Sequence, residues 1–67
     1  MIFSYKKLWK LLIDKKMLKK DLIKQAKISP TTIASMSKGK SVSLETLAKI
    51  CIVLNCEIGD IVELENI

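Results

Sequence analysis

The chain has 67 residues, room for one domain and no more. A chain of this size buries only about 60% of its unfolded surface, so its core is thin and a self-partner would add stability. Its longest unbroken apolar runs, Leu11–Ile13 and Ile50–Leu54, are far too short to span a membrane. No charged leader with an apolar stretch and cleavage site opens the sequence, which sets the expectation of a cytoplasmic protein.

Charge divides the chain unevenly. Residues 1–43 carry eleven lysines against Asp14 and Asp21, a balance of +9. Residues 44–67 carry Lys49 against Glu45, Glu57, Asp60, Glu63 and Glu65, a balance of −4, which leaves the net +5. A basic two-thirds joined to an acidic end points to one face made for a polyanion and one turned away from it. There is no arginine, which removes the commonest specific contact to guanine, so any reading of DNA must use lysine, hydroxyls, backbone groups and methyl contacts.

Periodicity reads as helix nearly throughout. Over residues 4–16, Tyr5, Leu8, Leu11, Leu12 and Lys15 keep helical spacing with Lys6, Lys7, Lys10 and Asp14 outward. Trp9 and Ile13 form a second apolar line about a quarter-turn away. Residues 18–26 give a short helix with Leu22, Ile23 and Ala26 inward. Residues 30–38 give a third, with Ser29 as N-cap, Pro30 at the first helical position and Gly39 just past the end. Its apolar residues are Ile33 and Met36, and the rest are small or hydroxyl-bearing.

Ser43 caps the next helix, residues 44–54, whose stripe is Leu44, Leu47, Ala48, Cys51 and Leu54, with Asn55 suited to a left-handed C-cap. A last short helix is expected over Ile58–Val62, after which residues 63–67 trail off as an acidic and apolar tail. Strand content should be near nil, so the fold class is all-α.

Only Lys27 and Ile28 lie between Ala26 and Ser29. So short a turn forces the second and third helices into a steep crossing with Ile28 as the plug. A helix held this way and projecting small polar residues resembles the second half of a helix-turn-helix.

From Leu8 to about Leu64 the chain resembles a Cro/CI-type (XRE family) helix-turn-helix domain with the compact five-helix lambda-repressor-like fold. The residues that carry the resemblance are Leu22, Ala26, Ile28, Ser29, Thr32, Ile33, Gly39 and Lys40, then SLETLAKICIVLN from Ser43 to Asn55, then IGDIVEL. The resemblance implies a small stand-alone transcriptional regulator that binds double-stranded DNA, as a two-fold homodimer at least on DNA. Three departures stand out. Leu18 and Lys19 replace the usual capping Thr or Ser and the Gln after it. Lys27 stands where glycine is common. Leu12 and Ser37 replace an arginine–glutamate pair, a link that apolar packing of Leu12 would take over.

By resemblance, Pro30, Thr31, Ala34 and Ser35 are the positions that meet base edges in the major groove. Lys19 and Lys20 sit in the first turn of a helix, where the dipole disfavours cations, a placement that makes sense if a phosphate sits there. Lys38, Lys40 and Ser41 follow the recognition helix and are assigned to the DNA backbone. Thr32 fits either the cap of its own helix or a phosphate contact.

Trp9, Ile13 and Ile52 fall outside the main stripes. With Ile58, Ile61, Val62, Leu64 and Ile67 they supply more apolar surface than one thin core needs. Either the tail folds over Trp9 and Ile13, or part of this surface pairs two subunits.

Nothing in the chain suggests an enzyme, a metal site or a cofactor. Histidine is missing, the carboxylates are scattered, and no glycine-rich loop can hold a nucleotide. Cys51 and Cys56 are five apart, which on a helix points the thiols to different sides. Two rival readings stay open. One is a protein-interaction module of the same fold, as the neutralising half of a pair or a repressor antagonist. The other is a basic amphipathic helix on a membrane surface, for which only Trp9 and Ile13 speak.

Overall fold

The computed structural model describes residues 2–65; Ile67, counted above with the tail, lies outside them. In chain order the elements are β1 (Ile2–Ser4), α1 (Lys6–Asp14), α2 (Lys19–Ala26), α3 (Pro30–Ser37), α4 (Leu44–Leu54), a 3-10 turn (Ile58–Asp60) and β2 (Glu63–Glu65). The expected five helices are therefore four α-helices. The fifth shrinks to one 3-10 turn, closed by the Asp60 carboxylate accepting the Glu57 N–H at 2.9 Å, and Gly59 within it is a poor helix former.

The expectation of almost no strand is also corrected. β1 and β2 pair antiparallel, with Ile2 opposite Glu65, Phe3 opposite Leu64 and Ser4 opposite Glu63. Strands of three residues are too short to show a period of two, so local pattern cannot reveal them. The tail thus folds back on the N-terminus. Lys6 meets Glu65 at 3.7 Å and Lys7 meets Glu63 at 3.8 Å, exposed pairs worth at most about 1 kcal/mol each. Their larger effect is to match the acidic end to two of the lysines.

Helix α1 is shorter than residues 4–16. Ser4 belongs to β1, Tyr5 is non-helical at φ −114° and ψ 20°, and Lys16 turns out of the helix at φ 57°. The core gathers Tyr5, Leu8 and Leu12 from the N-terminal part, Leu22 and Ala26 from α2, and Ile33 and Met36 from α3. Leu47, Ile50, Cys51 and Leu54 of α4, with Ile61 behind the 3-10 turn, complete it. Each large aliphatic among them contributes about 1.5–3 kcal/mol of burial. In α4 the inward stripe is rotated from the expected one, because Ile50 is buried while Leu44 and Ala48 are exposed. Leu12 is 3% exposed, which fits its expected role in place of the missing ion pair.

Candidate nucleic-acid interface

Helices α2 and α3 pack on each other, and α2 packs on α4. The tight turn between α2 and α3 runs through Lys27, which adopts φ 55° and ψ 46°, a left-handed conformation that costs a non-glycine residue about 1–2 kcal/mol. Ile28 is half-buried and packs against the core between the two helices.

The start of α3 is fixed by its cap. Ser29 Oγ accepts the Thr32 N–H at 3.2 Å and shares a hydrogen bond with Thr32 Oγ1 at 2.9 Å. Of the two roles open to Thr32, the cap is thus occupied, and the hydroxyl pair still keeps one proton free to donate outward. Ser43 and Thr46 repeat the same arrangement at the start of α4, at 3.1 and 2.9 Å. The start of α2 is served differently. Leu18 offers no side-chain cap, but the Asp21 carboxylate accepts the Leu18 N–H at 2.9 Å, half of a capping box.

Ile33 and Met36 point α3 into the core, which leaves Pro30, Thr31 and Ala34 exposed and Ser35 half-buried. The four expected base-reading residues therefore include three free positions and one at the margin. Of the residues assigned to the DNA backbone, Lys20, Lys38, Lys40 and Ser41 are all exposed. The segment after α3 is held by the backbone: Gly39 takes φ 76°, a conformation that suits glycine, and the Lys40 N–H donates to the Ser35 carbonyl at 3.1 Å.

Two connections had no sequence signal. Tyr5, read as part of the first helix, is buried and donates its hydroxyl to the Lys40 carbonyl at 2.9 Å across 35 positions, while the Phe3 N–H donates to the Gly39 carbonyl at 3.3 Å. A buried tyrosine needs a partner for its hydroxyl, but that partner lies far along the chain. The second connection is Lys19. Its ammonium lies 4.3 Å from the Trp9 ring centroid and donates to Ser37 Oγ at 3.4 Å. Trp9 is half-buried, with the Lys19 ammonium over its ring face.

The other residues assigned to tail packing or a dimer separate clearly. Ile61 is buried in the core, whereas Ile13 is 74%, Ile52 79% and Leu64 61% exposed. The described part of the tail therefore does not cover Ile13. Cys51 and Cys56 are not turned apart as their spacing suggested. Asn55 adopts φ 53° and brings the chain back, so the Cys56 N–H donates to the Cys51 carbonyl at 3.1 Å. Burial, then the neighbouring Cys56, then Glu57 and Asp60 push the Cys51 thiol up to about 11. Among the described residues no helix is long and apolar enough to cross a membrane.

The Cro/C1-type HTH DNA-binding domain family model matches residues 7–66, nearly the whole chain, and the protein belongs to that family. A solved structure of the transcriptional regulator VanUg is similar to it at 47% identity and a TM-score of 0.91, covering 97% of this chain and 88% of that one. No curated protein matches the chain.

Proposed function

We propose that the protein is a small transcriptional regulator that binds duplex DNA in a sequence-dependent way, with α3 lying in the major groove. One observation carries this reading: a capped helix whose outward residues are all short, flanked by exposed lysines at both ends. Short side chains let the helix backbone come close to the groove floor. Thr31 and Ser35 hydroxyls can donate or accept, and the carbons of Pro30, Thr31 and Ala34 can touch a thymine methyl. Affinity then comes from phosphate contacts by Lys19, Lys20, Lys38, Lys40, Ser41 and the free proton of the Ser29–Thr32 pair. The similarity to VanUg, itself a transcriptional regulator, supports the same reading.

The functional unit on DNA is a two-fold dimer, which places two recognition helices about 34 Å apart on one face of the duplex. The exposed Ile13, Ile52 and Leu64 offer apolar surface for pairing. Such a regulator works in the cytoplasm, where its DNA is.

Gel-shift titration of a random-sequence duplex at two salt concentrations tests the DNA reading. Neutralising about six phosphates per dimer gives a log–log salt slope near −5. Absent or salt-insensitive binding would instead favour the partner-protein module, for which the exposed Ile52 and Leu44 speak.

A further inference from the structure

We infer that Trp9 is a positioning residue for DNA binding: its indole face holds the Lys19 ammonium in place to meet a phosphate. The inference rests on the phosphate reading of Lys19. Lys19 begins α2 on an exposed surface, where a lysine ordinarily samples many rotamers and loses that freedom when it binds. Here the ammonium is held on two sides, 4.3 Å from the Trp9 ring centroid and 3.4 Å from Ser37 Oγ. A ring face attracts a cation at that distance.

The platform itself is steady, because Trp9 packs against the core. The three partners come from α1, the start of α2 and the end of α3, so Lys19 ties the ends of both helices of the motif to α1. Trp9 and Ser37 also line one shallow cleft with Lys38, a second lysine expected on the DNA backbone. An ammonium has three N–H donors. One is given to Ser37 and one side faces the ring, which leaves a donor free for a phosphate oxygen. Trp9 thus offsets the ordering cost of this contact in advance, in a position where the helix dipole alone would repel the lysine.

The test uses the full chain, a random-sequence duplex at low salt, and the variants Lys19→Gln, Trp9→Leu and Trp9→Phe. Lys19→Gln is expected to weaken binding and flatten the salt slope by about one for each phosphate no longer neutralised. Trp9→Phe, which keeps an aromatic face, stays within about twofold of the parent, while Trp9→Leu binds about threefold to tenfold more weakly. In the Lys19→Gln background, Trp9→Leu has no further effect. Equal weakening by Trp9→Leu in both backgrounds, or none in the parent, overturns the positioning role and leaves the phosphate reading intact. Unchanged affinity and slope in Lys19→Gln overturn both.

If circular dichroism shows that Trp9→Leu does not fold, indole emission decides. Trp9 is the sole tryptophan, so its emission reports this site alone. Duplex binding is expected to change the emission of the parent and not that of Lys19→Gln; a change of the same size in both overturns the inference.

Discussion

The Tyr5 hydroxyl donates to the Lys40 carbonyl at 2.9 Å, which fastens the junction of β1 and α1 to the segment leaving the recognition helix. Together with the Phe3 N–H on the Gly39 carbonyl at 3.3 Å, it sets where Lys38, Lys40 and Ser41 stand relative to α3. Tyr5→Phe keeps the buried ring and removes only the hydrogen bond. The expected loss is about 1 kcal/mol, read as a fall of about 4–8 °C in the thermal midpoint. An unchanged midpoint would mean that water serves the carbonyl equally well.

Lys27 and Lys16 both carry positive φ, at 55° and 57°. Replacing either by glycine relieves a left-handed residue of its side-chain clash, less the added freedom of glycine in the unfolded chain. Lys27→Gly is expected to stabilise the fold by about 1 kcal/mol, and Lys27→Ala to give no such gain. Denaturant titration of the two variants separates a backbone effect from a loss of charge, since both remove the same lysine.

Alkaline pH should weaken the fold in a defined window. Burial raises the Tyr5 hydroxyl above its ordinary value of 10.0, and burial with the adjacent Cys56 raises the Cys51 thiol from 9.0 to about 11. Both groups are neutral when protonated, and both ionise more readily in the unfolded chain. The Cys51 contribution is complete below pH 9.0 and is lost as pH rises through about 11, and the Tyr5 contribution is complete below pH 10.0 and is lost above it. Urea midpoints measured across that range are expected to fall, and Cys51→Ala, though less stable throughout, should show a flatter decline. A midpoint that rises with pH in this window would contradict the assignment.

Base reading and backbone binding are separable by substitution. Lys38→Ala is expected to weaken binding to all duplexes alike and to flatten the salt slope. Thr31→Ala and Ser35→Ala are expected to change which duplex is preferred, by about 1–3 kcal/mol of discrimination where a good hydrogen bond to a base edge is removed. Competition between two duplexes differing at one base pair reads the difference. A uniform loss over every sequence for Thr31→Ala would remove that residue from the base-reading set.

The helix-turn-helix was legible because its signals are local. Ser29 before Pro30 marks a start, Gly39 marks a stop, and only Lys27, Ile28 and Ser29 lie between α2 and α3, which leaves little choice of geometry. The left-handed Asn55 followed from the same local chemistry. What sequence reasoning missed depends on contacts between distant residues. The β1–β2 pair is too short to carry a period and joins the two ends of the chain. Tyr5 reaches Lys40 and Trp9 reaches Lys19 across different elements, so neither pairing shows in spacing. Rotation of α4, with Ile50 inward and Leu44 outward, is set by its packing on α2 and on the 3-10 turn. The Cys51–Cys56 proximity comes from the turn at Asn55, which a helical projection cannot contain.

Selection of the protein against a library of random duplexes tests sequence-dependent DNA binding most directly. Enrichment of one consensus is expected, made of two related half-sites about one helical turn apart, with binding that weakens steeply as salt is raised. No enriched sequence, from a folded protein at low salt, would contradict sequence-dependent DNA binding by this chain.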